Sequence, residues 1–448
     1  MKKTLNIFLL AIIAMGCDGF LDEKPLKSLV VPSSLTDLQA LMDYEFFMNT
    51  APGIPVITSD EFYASEGIWQ SIPLATLRNA YIWKEDDLNE GEINPDWIKA
   101  YEQIFYTNIV LESIEGITRN SNNAIQYDHV KGNAIFHRIL AYYHLLSQFS
   151  AMPQDGADMN QYGLVIKETA AIESPPVRIT VGESYDFIEN ELIRALDLLP
   201  ETSTFATRPS KASVYALQAR FYLFQGKFIE AEKAAEEGLK LNNFLIDHND
   251  LDPSLANPFQ RFNQEVIFHE ELVFSSLHLN ADISPELYDL YQGSDLRRET
   301  FFNVNQNTGR ITFKGSYNGM VTLFGGFTTA ELYLILAECQ LRNGKLSEGL
   351  ATLNIFRSKR YLTQDFEEIQ TENKVEALRY LFLERRKELA LRGARWFDLR
   401  RLNHEEEFKE TLTRTLGGIT YTLEPNSRFY ILPIMDIEIA TYGLLQNP

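Results

Sequence analysis

Residues 211–241 read KASVYALQARFYLFQGKFIEAEKAAEEGLKL, and residues 329–356 read TAELYLILAECQLRNGKLSEGLATLNIF. The two segments place small and apolar residues at identical spacing: Ala219, Gly226, Phe228, Ala231 and Gly238 in the first, and Ala337, Gly344, Leu346 and Gly349 in the second. Small residues let two helices approach closely, and glycine allows the tight turn between them. The repeat therefore predicts two pairs of helices, each pair joined by a glycine turn.

These two pairs, near residues 211–242 and 329–360, have the pattern of tetratricopeptide units. Residues 131–199 and 372–402 carry weaker forms of the same pattern. Stacked helix pairs share one continuous core, so we expect residues 32–448 to form a single structural unit. The predicted fold class is all-α, a tetratricopeptide-like solenoid of helix pairs that carries long irregular loops.

A strongly basic stretch follows, ERRKELALRGARWFDLRRL, residues 384–402, with seven basic and three acidic side chains. Four apolar residues within this stretch and just before it are separated by three, four and seven positions, as on one face of a helix: Val375, Leu378, Phe382 and Leu389. We expect a helix with this face turned inward that stops at Gly393. Arg385 lies on the inward face and must find carboxylate partners, for which Glu388 and Asp398 are the nearest candidates.

The amino terminus has the features of a secretory signal. Lys2 and Lys3 precede an apolar run that is too short to span a bilayer, and Cys17 follows directly after a small residue, as at a bacterial lipoprotein cleavage site. We expect residues 1–16 to be a signal peptide, Cys17 to be lipidated as a membrane anchor, and residues 17–31 to be a tether. The alternative is a soluble secreted protein. Cys339 then has no disulfide partner, and we expect it to be a small buried side chain.

Several segments resemble the SusD/RagB family, the surface nutrient-binding lipoproteins of Bacteroidetes-type bacteria. The basic stretch is similar to the carboxy-terminal signature of that family. Four other segments look like family landmarks in the family's order: CDGFLDEKP, WIKAYEQIFYTNIVLESI, LYQGSDLRRETFF and RFYILPIMDIEIATYGLLQNP. Together they extend over nearly the whole chain that follows the signal peptide.

The resemblance implies a protein on the outer face of an outer membrane that captures an oligosaccharide. It also implies a partner, a SusC-type TonB-dependent β-barrel transporter, to which the ligand is delivered. Ligand contacts in this family come from variable loops, so the motifs identify no ligand residue. We expect Asp295 and Arg297, within GSDLRR, and Trp396 to belong to the scaffold.

Two irregular regions, residues 49–95 and 247–328, are the predicted ligand-facing loops because helical periodicity is lost while aromatic residues remain frequent. Sugar rings stack on flat apolar faces flanked by hydrogen-bonding groups. The predicted ligand residues are Trp69, Trp83, Tyr81, Tyr63, Arg78 and Asn79 in the first region and Tyr317, Asn318 and Phe324 in the second. The alternative for each aromatic residue is packing against the helical scaffold.

Charge and motif content exclude other functions. A formal net charge of -21 repels nucleic acid, so we expect no nucleic-acid partner. The seven histidines do not combine with cysteines or carboxylates at metal-ligand spacing, and we find no nucleophile or phosphate-binding motif. We therefore predict no enzyme activity, no cofactor and no metal. Two acidic segments, residues 154–163 and 247–253, are expected to be solvated turns rather than calcium loops.

Two alternatives stay open at this point. In the first alternative, this protein resembles the RagB branch of the family and binds an oligopeptide, which it would recognise through backbone amides rather than through aromatic rings. In the second alternative, it is a protein of another class, a periplasmic tetratricopeptide scaffold that binds only other proteins.

Overall fold

The computed structural model describes residues 32–153 and 158–447. Its helices are α1 Leu35–Met42, α2 Glu45–Met48, α3 Ile54–Thr58, α4 Glu66–Gln70, α5 Ala75–Tyr81, α6 Pro95–Ile114, α7 Ala124–Phe149, α8 Val181–Leu198, α9 Lys211–Phe224, α10 Phe228–Leu241, α11 Leu277–Asn280, α12 Pro285–Tyr288, α13 Arg297–Phe301, α14 Thr329–Arg342, α15 Leu346–Arg357, α16 Lys374–Glu388, α17 Ala394–Leu402 and α18 Asp436–Tyr442. Its strands are β1 Thr50–Ala51, β2 Phe62–Tyr63, β3 Tyr162–Ile166, β4 Val177–Thr180, β5 Val266–Phe268, β6 Glu271–Leu272, β7 Asp282–Ile283, β8 Phe302–Val304, β9 Ile311–Phe313, β10 Phe327–Thr328, β11 Leu412–Leu416 and β12 Ile419–Leu423.

The two helix pairs predicted from the repeat are α9–α10 and α14–α15. Gly226 and Gly344 lie in the two turns with φ of +71° and +84°, a conformation that costs glycine little. Gly238 allows α10 to pack on α14, because a β-carbon there would lie 2.8 Å from the Leu332 side chain. The predicted fold class, tetratricopeptide-like and mainly helical, is confirmed.

The two weaker pairs differ in detail from their prediction. In the first, α7 begins at Ala124, and the connection to α8 contains the antiparallel hairpin β3–β4. In the last pair, α16 ends at Glu388, so the predicted helix stop at Gly393 is wrong. The chain leaves the helix through Leu391, with φ of +58°, and Gly393, with φ of +77°, directly precedes α17. Val375 is exposed, so its predicted inward position is also wrong. The buried face of α16 is centred on Ala377, Leu378 and Leu381.

The predicted partner of Arg385 is confirmed in part. Its guanidinium donates to Asp398 at 2.8 Å, whereas Glu388 accepts from Arg360 at 2.9 Å and from Arg297 at 3.4 Å. Arg297 and Arg360 are both fully buried. Burial raises the pKa of Glu388, but the Arg360 and Arg297 guanidinium groups outweigh burial and hold that pKa below its usual value.

Other scaffold predictions hold as well. Arg297 makes a bidentate pair with Asp295 at 2.8 Å, Trp396 stacks on Tyr430 with ring centroids 4.5 Å apart, and Cys339 is buried. These charged and aromatic groups fix the last helices against the rest of the core.

Short strand pairs join the two irregular regions. β1 runs parallel to β6, with Thr50 opposite Glu271, and β2 runs antiparallel to β7, with Phe62 opposite Ile283. Neither region is structureless, since both contain short helices and strands. The pairing places residues 49–95 directly beside residues 247–328 and creates the surface described below.

The predicted signal peptide, the tether and Cys17 lie outside the described residues, and the division of the chain at residues 16 and 31 stays a prediction. Across residues 32–153 and 158–447, no helix combines the length and the apolar character that crossing a bilayer requires.

A cleft between the two irregular regions

A cleft of about 500 Å³ opens where the two irregular regions meet. Its lining comes from both predicted regions and from helices α2 and α6, and consists of Glu45, Phe46, Asn49, Thr50, Lys99, Arg261, Glu271, Leu272, Val273, Phe274, Met320 and Thr322. We call this set the aromatic cleft.

Three apolar side chains of the cleft are exposed together. Phe46 is 68% exposed, Phe274 is 54% exposed and Met320 is 44% exposed. Single exposed apolar side chains are common in folded proteins, but a cluster of them is typical of a binding groove. Phe46 and Phe274 therefore supply ring faces of the kind on which a sugar or an apolar side chain packs.

The polar side of the cleft is an ion-pair cluster around Arg261. Its Nη2 bonds the Glu45 carboxylate and lies 3.3 Å from the Glu271 carboxylate. The same guanidinium lies 4.5 Å from the ring centroid of Phe262. Carboxylate oxygens and guanidinium N–H groups at a cleft wall can accept from and donate to ligand hydroxyls.

The loop that carries Arg261 has a strained backbone. Phe262 has φ of +57°, which is unfavourable for a bulky side chain, and its ring is 44% exposed. Gly319 packs against this loop, with its β-carbon position 3.2 Å from the backbone nitrogen of Arg261. Strain of this kind is often found at functional sites, and the hydrogen bonds to Glu45 and Glu271 hold Arg261 at the edge of the cleft.

Among residues 32–153 and 158–447, one group of side chains has the composition of a metal site, and it lies beside the cleft. His269 is fully buried, and its Nε2 lies 3.6 Å from Glu45 Oε1 and 3.7 Å from Glu271 Oε1. Imidazole and carboxylates suit a transition-metal ion. In this arrangement, however, the Arg261 guanidinium bridges the two carboxylates and takes the position that a cation would need.

The structure buries three of the six predicted ligand residues in the first region. Trp83 donates from Nε1 to the Thr58 carbonyl at 2.8 Å, and the Tyr81 hydroxyl accepts from the Ala64 N–H at 2.8 Å. The Arg414 guanidinium covers both rings, 3.9 Å from the Tyr81 centroid and 4.2 Å from the Trp83 centroid. Asn79 is also buried and donates to the Leu88 carbonyl. Contact with a ligand requires an exposed side chain, so the prediction that Tyr81, Trp83 and Asn79 contact the ligand is wrong.

The second predicted set is buried as well. Tyr317 is fully buried, donates to Glu265 at 2.6 Å and lies under the Arg392 guanidinium. Asn318 donates to the Thr322 carbonyl, and Phe324 is 1% exposed. A covered ring offers no face to a sugar, so these residues support the walls of the site rather than face solvent.

Three predicted residues retain surface. Tyr63 is 51% exposed, next to the buried Phe62. Trp69 is partly buried and donates to the Arg78 carbonyl at 2.8 Å, while Arg78 itself donates to the Ile72 carbonyl at 2.6 Å. The role of Tyr63, Trp69 and Arg78 in ligand binding stays a prediction.

Comparisons with known proteins agree on one family. A family model described as "Starch-binding associating with outer membrane" matches residues 19–223, and a second, described as "SusD family", matches residues 327–448. SusD-like protein P2 of Formosa agariphila is 30% identical over 172 residues, which are 38% of this chain and 31% of that protein. The chain thus aligns with about a third of the length of this curated relative.

Solved structures support the same fold. A SusD superfamily protein from Bacteroides thetaiotaomicron is 20% identical, with a TM-score of 0.73 over 93% of this chain and 100% of that chain. A laminarin-binding SusD-like protein is 18% identical, with a TM-score of 0.66 over 92% of this chain and 97% of that chain. The two family models together match most of the chain, and the chain belongs to the SusD/RagB family.

Proposed function

We propose that this protein is a cell-surface, lipid-anchored glycan-binding protein that captures oligosaccharides and delivers them to a SusC-type TonB-dependent outer-membrane transporter. The observation that carries the proposal is the aromatic cleft, where the exposed rings of Phe46 and Phe274 stand beside the polar cluster of Arg261, Glu45 and Glu271. Membership of a family with starch-binding and laminarin-binding members supports a glycan as the ligand.

Binding in this cleft breaks no covalent bond. The ring faces contact the C–H groups of the sugar, and the charged groups exchange hydrogen bonds with its hydroxyls. Release to a transporter requires modest affinity, so we expect dissociation constants from about 1 μM to 1 mM, or about -8 to -4 kcal/mol.

The proposed location rests on Cys17 and on the outer-membrane association in the description of the matching family model. We expect Cys17→Ala to move the protein from the membrane fraction to the soluble fraction. Protease added to intact cells should degrade the wild-type protein, whereas a periplasmic scaffold would be shielded.

Isothermal titration against glycan and peptide pools tests the ligand class. We would include laminarin and starch oligosaccharides, and then repeat the titration with Phe46→Ala and Phe274→Ala. Loss of one stacking face of about 1 kcal/mol weakens binding about fivefold. Tyr380→Ala is the matched control, because Tyr380 is a 38% exposed ring on α16 that does not line the cleft.

The outcomes separate the alternatives. If both cleft variants bind normally while Tyr63→Ala and Trp69→Ala lose binding, the ligand occupies the surface predicted from sequence. If only the peptide pool binds, the protein is a peptide receptor of the RagB type and the glycan proposal fails.

A further inference from the structure

We infer that the aromatic cleft takes an uncharged glycan and discriminates against sulfated or uronic-acid-rich chains. The inference rests on the proposed function and specifies its substrate class. It depends on how the charges of the cleft are already paired.

Arg261 is the central cation, and it is shared by two acids. Its Nη2 bonds Glu45 and lies 3.3 Å from Glu271, and both acids line the cleft. A guanidinium carries one positive charge and the two carboxylates carry two negative charges. The cluster is therefore formally negative by one charge, and Arg261 has no excess charge to offer an anion.

Lys99, the other cation of the cleft, is also paired. Its Nζ lies 2.8 Å from a carboxylate oxygen of Glu102. It also lies 4.9 Å and 4.6 Å from the ring centroids of Phe46 and Phe47. Within the lining, the two cations balance the Glu45 and Glu271 carboxylates, and Glu102, which lies outside the lining, brings the formal charge of the five groups to -1.

An anionic ligand would have to displace a carboxylate from one of these cations. The displaced Glu45 or Glu271 side chain, only 34% or 26% exposed, would then face the incoming anion. Like charges held together at a partly desolvated site repel strongly. A hydroxyl avoids this conflict, because it can donate to a carboxylate lone pair that the Arg261 bond leaves open.

The net charge of the whole chain also disfavours an anionic ligand. The formal net charge is -21, so a polyanion meets repulsion before it reaches the cleft. Salt screens this long-range repulsion, whereas it screens the local repulsion between the ligand and the carboxylates around Arg261 much less.

Matched pairs of polysaccharides test the inference. Laminarin and sulfated laminarin form one pair, and methyl-esterified and de-esterified homogalacturonan form the other. Affinity electrophoresis at low salt should show binding of an uncharged member and, because of charge repulsion, at least about tenfold weaker binding of its charged counterpart. Added salt should narrow that difference without abolishing it.

Glu271→Gln provides the matched variant. Removing one carboxylate brings the cluster of Arg261, Glu45 and Glu271 from a formal charge of -1 to 0, so the affinity for the charged member relative to the uncharged member should rise several-fold. Because Glu271 also accepts hydrogen bonds from ligand hydroxyls in the proposed function, the test is this affinity ratio and not the affinity for the uncharged member alone. Glu348→Gln removes an exposed acid on α15, outside the cleft, and should leave the ratio and both affinities unchanged.

Each outcome decides a different question. If the wild-type protein binds a charged member as tightly as its uncharged counterpart, the inference is overturned and the proposed function stands. If no glycan of either charge binds while a peptide does, both are overturned.

Discussion

Arg360→Met is the sharpest test of the buried ion-pair network that holds the last helices in place. The Arg360 side chain is fully buried, and it donates to Glu388 at 2.9 Å, to Glu265 at 2.8 Å and to the Ile246 carbonyl at 2.6 Å. Methionine fills a similar volume but leaves both carboxylates without this cation. Removing one member of a buried ion pair costs about 3–5 kcal/mol of unfolding free energy.

The hydrogen-bond partners that Glu388 and Glu265 keep in the variant hold the loss of unfolding free energy within that range. Glu388 retains the Arg297 guanidinium at 3.4 Å, and Glu265 retains the Tyr317 hydroxyl at 2.6 Å and the Ile246 N–H at 2.7 Å. Without them, two bare carboxylates in the core would cost more than the folded state can tolerate.

Urea unfolding followed by circular dichroism measures the loss. Arg119→Met is the control, because Arg119 is 52% exposed and solvent screens its surface pair with Asp128, so that pair contributes little to stability. We expect a large decrease in the urea midpoint for Arg360→Met and almost none for the control. Equal, small decreases for the two variants would refute the claim that the network stabilises the fold.

Three further predictions concern other buried groups. Burial raises the pKa of Glu61 to about 7, so the folded protein holds that proton more tightly than the unfolded chain and loses about 2–3 kcal/mol of stability as pH rises from 5 to 8. Glu61→Gln should remove that component in urea titrations at the two pH values, and an unchanged pH dependence would contradict it. Gly326→Ala places a β-carbon 2.1 Å from the Phe268 carbonyl oxygen and should cost about 3 kcal/mol, whereas Gly67→Ala, which meets no described atom within 4 Å, should be nearly neutral. Cys339 is buried and burial raises its thiol pKa, so it should react with a thiol reagent only after denaturation; reaction in the native protein would show that α14 opens.

The helix pairs could be predicted because their signals are local. Gly226 and Gly344 mark turns through a property of the residue itself, and the spacing of small residues reports helix contact directly. The same local signals do not predict a helix end where a residue other than glycine adopts positive φ. The end of α16 is set by a turn in which Leu391 adopts positive φ, and no sequence rule anticipates that conformation for leucine.

The cleft was harder to predict than the fold. Whether an aromatic ring in an irregular segment faces solvent depends on distant partners, such as Arg392 over Tyr317 or Arg414 over Trp83. Phe46 and Lys99 lie outside the predicted regions. The pairing of β1 with β6 and the hydrogen bond from Asn49 to the His269 carbonyl bring the segment that contains Phe46 to Phe274. The sequence located the two irregular regions that form the cleft. It did not identify which of their side chains are exposed, because that depends on long-range contacts that one sequence does not reveal.

The walls of the aromatic cleft come from four stretches widely separated along the chain, represented by Phe46, Lys99, Arg261 and Met320. No short fragment can contain all of them, so under the proposed function only the completely folded molecule can bind a glycan. Thermodynamic linkage would then make the bound glycan stabilise the whole folded chain, by about 2.7 kcal/mol at a concentration one hundred times the dissociation constant. The glycan-bound protein should accordingly resist added protease longer than the free protein.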